Sequence, residues 1–122
     1  MRCLTLADFV RPDADRIEFI CRSLPGNLAG FVEKKGYPLR LLPPVDVAQS
    51  QGRHEGYRFD EDTIEKDADM TRDFLEDYPK KTTWLVVDHY GLDSKWEARI
   101  RPCATRVMAI DDLADRRHDC DL

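Results

Sequence analysis

Apolar positions along this chain switch repeatedly between helical spacing, close to 3.6 residues, and the two-residue alternation of strands. Residues 1–10 place Leu6 one turn from Phe9 and Val10 and predict a short helix. Its stop is Arg11-Pro12, because the residue before a proline is pushed out of the helical region. Residues 16–22 alternate, with Ile17, Phe19 and Cys21 on one face, and predict a strand. The polar turn Ser23-Leu24-Pro25-Gly26-Asn27 follows. Leu28, Phe31 and Val32 then return at helical spacing, up to Lys34-Lys35-Gly36, which joins basic residues in a last turn to a glycine stop. Residues 37–42 predict a second strand, closed by Pro43-Pro44. Residues 45–59 have no period and read as a long loop carrying Arg53-His54-Glu55. A long helix is predicted over 60–78, with Ile64, Ala68, Thr71 and Leu75 along one face and Asp60, Glu61 and Asp62 at its positive end. Pro79-Lys80-Lys81 ends it.

The rest of the chain is organised around one stretch. Trp84-Leu85-Val86-Val87 is an unbroken apolar run, the pattern of a strand buried on both faces, and Asp88-His89-Tyr90-Gly91 places polar groups where that strand ends. A helix follows over 94–100. Asp93 or Ser94 can cap it, and Ser94-x-x-Glu97 has the spacing of a capping box. A second buried strand is predicted over 106–110, and residues 111–122 are polar, without a terminating core element. Helices and strands alternating in this order predict an α/β fold: one domain over 1–122, a parallel sheet with right-handed crossovers and helices on both faces, in effect a Rossmann-like half. Such a chain normally starts with a strand, so beginning inside a helix implies that the fold's first strand is missing.

Composition narrows the partners. The chain has 122 residues and a formal net charge of -5, which disfavours nucleic acid and anionic membranes as partners. No apolar run is long enough to span a bilayer and no signal-peptide pattern opens the chain, so a cytoplasmic location is expected. Cys3, Cys21, Cys103 and Cys120 are scattered, with no Cys-x-x-Cys pair, and read as reduced thiols. His118-Asp119-Cys120 offers ligand types, but no second pair completes a zinc set, so neither metal nor cofactor is expected. The sequence contains no phosphate-loop or dinucleotide-binding glycine pattern and no internal repeat.

In open α/β sheets the ligand crevice lies beyond the carboxyl ends of the strands, which makes Asp88, His89 and Tyr90 the first site candidates, with Asp111-Asp112 at the end of the next strand. A carboxylate or histidine there can orient an attacking water, and a tyrosine can hold a phosphate or sugar oxygen. The plainer alternative is local: Asp111 and Asp112 bond nearby amides, and Tyr90 packs on its loop. The turn ending in Asn27 can present amides to an anion or simply join a strand to a helix. Arg116-Arg117-His118 has the charges of an anion clamp and equally those of a solvated loop. His54 has no assigned role.

Five strings together resemble a known family: Arg2-Cys3-Leu4-Thr5-Leu6-Ala7, Phe19-Ile20-Cys21-Arg22-Ser23-Leu24-Pro25-Gly26-Asn27, Gly36-Tyr37, Trp84-Leu85-Val86-Val87-Asp88-His89-Tyr90-x-Leu92-Asp93-x-x-Trp96-Glu97, and Ile110-Asp111-Asp112-Leu113-Ala114-Asp115-Arg116-x-His118-x-Cys120-Asp121. They resemble the UDP-sugar hydrolases of pseudaminic acid biosynthesis and the related spore-coat polysaccharide synthesis proteins, and they cover almost the whole chain in the family's order. The resemblance implies the N-terminal half of a glycosyltransferase-B-type architecture. It also implies metal-independent attack of water on the anomeric carbon of a UDP-linked diacetamido-trideoxy sugar, releasing UDP. Tyr90 matches a catalytic-site tyrosine of the family, and Arg2, Asn27 and Asp88 match positions near the cleft. With His89, these three are the expected substrate-binding residues. In the family a strand and a Gly-x-Gly-His loop, which carries the base, precede the first string. Here Met1 stands directly before Arg2, and the family's nucleotide-binding domain lies beyond the last string. The resemblance therefore implies a fragment that turns over very poorly alone. A non-catalytic binding or assembly module, which could dimerise through an open sheet edge, and a sugar-nucleotide glycosyltransferase are the alternatives.

Overall fold

The computed structural model describes residues 1–44, 59–78 and 80–122. Most of the predicted loop, including Arg53, His54 and Glu55, lies outside the described residues, as does Pro79. The chain divides into two compact units, Met1–Val45 and Asp46–Leu122.

In the first unit, helix α1 (Arg2–Val10) runs directly into a 3-10 turn, Arg11–Asp13. The α-helix ends at Val10 as expected, but Arg11 stays in the helical region and Pro12 takes an early position of the 3-10 turn, where its missing N–H is not needed. Strand β1 (Phe19–Arg22), helix α2 (Ala29–Lys34) and strand β2 (Leu39–Leu42) follow. β1 and β2 pair in parallel, from Phe19 opposite Leu39 to Arg22 opposite Leu42. Leu4, Ala7, Val32 and Tyr37 form the core, with Ile17, Phe19 and Leu39 packed against it. The end of α2 is set by Gly36 at φ 78°, a left-handed conformation that side chains resist; it lets the Gly36 and Tyr37 N–H groups reach back to the Glu33 and Val32 carbonyls.

The second unit holds helix α3 (Glu61–Glu76), strand β3 (Thr82–Val87), helix α4 (Ser94–Ile100), a 3-10 turn (Arg101–Cys103) and strand β4 (Ala104–Ala109). Asp60 caps α3 by accepting from the Thr63 N–H at 2.8 Å. The helix buries Ile64, Asp67, Ala68, Thr71 and Leu75, the expected stripe with one carboxylate added. That carboxylate has a partner across the helix pair: Asp67 Oδ1 accepts from the buried Trp96 indole N–H at 2.8 Å, tying α4 to α3. β3 and β4 are parallel, from Thr82 opposite Ala104 to Val87 opposite Ala109.

Among the described residues the architecture is thus mixed helix and strand with two small parallel sheets, each of two strands. The expectation that β3 is buried on both faces does not hold along its length. Val87 is buried, but Trp84 is 49% exposed and Leu85 and Val86 are intermediate. A strand carries an unbroken apolar run without full cover when elements pack over only part of it. Residues 111–122 form no helix or strand, in line with the expected lack of a terminating core element, but the end of the chain is bonded to the sheet. The Asp121 N–H donates to the Val107 carbonyl at 2.7 Å, and the Ala109 N–H donates to the Leu122 carbonyl at 2.9 Å, so these residues lie along β4. Among the described residues, no helix is long and apolar enough to cross a membrane.

Candidate functional site

Parallel pairing brings the carboxyl ends of β3 and β4 side by side, and it persists to the strand ends: the Ile110 N–H donates to the Val87 carbonyl at 2.8 Å. Two polar segments therefore leave the sheet together. One is Asp88-His89-Tyr90-Gly91; the other begins at Asp111 and runs to the end of the chain.

The first segment is a tight turn fixed by His89. Its Nδ1 accepts from the Gly91 N–H at 3.0 Å and its carbonyl accepts from the Leu92 N–H. Nδ1 used as an acceptor leaves the proton of a neutral imidazole on Nε2. Its ring lies 4.9 Å from that of Phe59, centre to centre. Asp88 is half-buried, whereas Tyr90 is 39% exposed.

The second segment returns over this turn. Arg116 Nε donates to the Leu92 carbonyl at 2.8 Å and its Nη2 to the His89 carbonyl at 3.3 Å, while its guanidinium carbon lies 6.0 Å from the centre of the Tyr90 ring. The same guanidinium pairs with Asp115 at 3.0 Å and lies 3.7 Å from Asp111 Oδ1. Arg116 thus gathers two backbone carbonyls and two carboxylates around the turn that presents Tyr90.

Behind Arg116 lies a buried polar group that sequence reasoning placed differently. Asp93 alone caps α4, accepting from the Lys95 N–H at 2.9 Å and the Trp96 N–H at 3.5 Å. Glu97 does not complete a capping box; it turns inward, fully buried, and accepts from His118 Nδ1 at 2.6 Å and from the Asp119 N–H. The other ring nitrogen of His118 lies 3.0 Å from Asp111 Oδ2, and Asp111 Oδ1 accepts from the Leu113 N–H at 3.0 Å. Asp111 thus makes the local amide bond anticipated for it and a long-range one besides. Burial opposes charge on His118, but its hydrogen bonds to Glu97 and then Asp111 outweigh that and raise its pKa above the ordinary histidine value. The His118 bond in turn holds the Asp111 carboxyl below its usual range. The two carboxylates face the two ring nitrogens rather than a shared point, and among the described residues no cluster of His, Cys, Asp and Glu could hold a metal ion.

Arg2 and Asn27 belong to the first unit. Arg2 opens α1 and is partly exposed. Asn27 organises its own turn, with Oδ1 accepting from the Ala29 N–H at 3.2 Å and Nδ2 donating to the Arg22 carbonyl at 3.4 Å. Asp88, His89 and Tyr90 share one turn in the second unit, together with Asp111, Arg116 and His118. Arg116 and His118 looked like a solvated run in the sequence. The missed signal was their spacing: Arg116 and His118 are half-buried, whereas Arg117 between them is exposed. Comparison with models of protein families, with curated proteins and with solved structures finds no match.

Proposed function

We propose that this chain supplies the acceptor-side, Rossmann-like domain of a UDP-sugar hydrolase with a glycosyltransferase-B-type arrangement, and that the sugar lies over the carboxyl ends of β3 and β4. The observation that carries this reading is the joining of the two longest family-like strings. Arg116 reaches from the last string to Leu92 and His89 of the central one, and His118 reaches to Glu97. Residues that resemble the family in two distant stretches thus build one locality, at the strand ends where α/β folds receive ligands. In this reading the Tyr90 hydroxyl and the His89 Nε2–H contact sugar or phosphate oxygens. Asp88 orients a sugar hydroxyl, and Arg116 holds the turn and places positive charge beside Tyr90.

A second reading, a non-catalytic sugar-nucleotide binding module, gains support from the two described histidines. His89 Nδ1 accepts from a backbone amide, and both nitrogens of His118 face carboxylates, so these contacts offer no free lone pair to an attacking water. Self-association through the edge of β3 away from β4 is the partner proposed for that module.

Titrating the isotope-labelled chain with the UDP-linked diacetamido-trideoxy sugar, while assaying UDP release, separates the readings. Amide shifts centred on residues 88–92 and 111–118, with UDP released only once the chain is joined to the family's Gly-x-Gly-His segment and nucleotide-binding domain, favour the hydrolase domain. The same shifts with no release from the joined protein favour the binding module. Saturating ligand with no shift in either segment refutes both.

A further inference from the structure

His118 is held from two sides, with Nδ1 at 2.6 Å from Glu97 and Nε2 at 3.0 Å from Asp111. A neutral imidazole has one N–H and one lone pair, so it can donate to only one of the two carboxylates; the imidazolium donates to both. We propose that His118 is a protonation-operated latch that fastens the segment 111–122 across the Tyr90 turn when charged and releases its Asp111 side when neutral.

The side that opens follows from burial. The Glu97 side chain has no exposure at all, and leaving that carboxylate without a donor costs more than exposing Asp111. The remaining proton therefore stays on Nδ1. The Nε2 lone pair then faces Asp111 Oδ2, and acceptor meets acceptor. Asp111 keeps its bond from the Leu113 N–H, but its link through the ring to α4 is lost. Arg116 stands two residues before His118 in the same segment, so loosening of the clasp reaches the bonds that Arg116 makes to Leu92 and His89. The latch acts on this turn whatever ligand the turn receives.

The charged groups facing the ring are Glu97 from α4 and Asp111 from the end of β4. Arg116 opposes the ring's charge from the other oxygen of Asp111. The carboxylates prevail, so His118 binds its proton more tightly in the folded chain than in the unfolded one. Its contribution is complete below the ordinary histidine value of about 6.5 and is lost as pH rises through the higher folded value. Between the two, the ratio of closed to open segment falls by up to about tenfold per pH unit, the limit for one proton.

Hydrogen exchange on the full chain between pH 6 and 9, corrected for the intrinsic base-catalysed rate, tests the latch. The amide of Ser94, which donates to the Arg117 carbonyl, should lose protection across the His118 midpoint, whereas those of Leu113 and Asp119, whose bonds the open form keeps, should change little. Amides pairing β3 with β4 should keep theirs. Asp111→Asn supplies a side-chain N–H to the neutral ring while its oxygen keeps the Leu113 amide, so in that variant protection should stay level to pH 9. Three results would overturn the proposal: a level wild-type profile, loss that spreads equally through β3 and β4, or an Asp111→Asn profile that follows the wild type. The wild-type profile decides even if the variant folds poorly.

Discussion

Replacing Glu97 by glutamine changes one atom in a fully buried group, so its cost can be counted bond by bond. At pH 6 the carboxylate accepts from the charged His118 ring and from the Asp119 N–H, and the ring also donates to Asp111. In Glu97→Gln the new oxygen can keep the Asp119 amide. The new NH2 must then meet His118 Nδ1, which accepts only when the ring is neutral with its proton on Nε2, donating to Asp111. Two charge-assisted bonds become neutral ones. Net values of about 1.5–3 kcal/mol against about 0.5–1.5, desolvation included, put the loss at about 2–3 kcal/mol. As pH rises through the ring's raised folded value, the wild-type ring becomes neutral and loses its Asp111 bond, whereas the variant keeps all three contacts. The difference then shrinks toward zero. Urea unfolding followed by tryptophan fluorescence at pH 6 and above the His118 midpoint, located by NMR titration of the ring, measures it, and comparing variants at the same pH cancels titration elsewhere. A cost that is equal on both sides of that midpoint refutes this account of the bonds.

Three further outcomes follow from single contacts. Trp96→Phe removes the indole donor from buried Asp67 and should cost about 1.5–3 kcal/mol in urea unfolding, whereas Asp67→Asn, which keeps an acceptor, should cost less. Asp93→Ala strips the only side-chain cap of a seven-residue helix and should cost about 1 kcal/mol, measured in the same way. Gly36→Ala meets open space, yet its φ of 78° makes it strained by about 1–2 kcal/mol; a variant as stable as wild type in thermal unfolding would show that the turn relaxes.

Local elements were readable where one physical signal dominated. The helix over 94–100 has its predicted bounds, and the stripe Ile64, Ala68, Thr71, Leu75 is buried as its 3.6-residue spacing requires. Strand edges moved by a few residues: 16–22 shortened to Phe19–Arg22, and 106–110 shifted to Ala104–Ala109. Pairing partners, which lie far away in sequence, decide where a ladder starts. The roles of Glu97 and His118 were not legible for the same reason. Glu97 has the spacing of a local cap, and only a histidine 21 positions away turns it inward. The turn at Asp88-His89-Tyr90 was placed correctly at a strand end, but the arginine that holds it comes from a segment whose charges read as surface.

The Asp121 carboxylate on the outer flank of β4 has a consequence for how the chain behaves in concentrated solution. Its Oδ2 accepts from the Val107 N–H at 2.8 Å while it pairs with Arg101 and Arg106, and these contacts hold its carboxyl below the usual range. An incoming strand would meet an amide already bonded and a fixed charge beside it, one of the devices by which sheet margins resist fibril growth. Because that charge persists into mild acid, Asp121→Ala should expose β4 as an assembly surface, with light scattering rising at pH values where the parent chain stays dispersed.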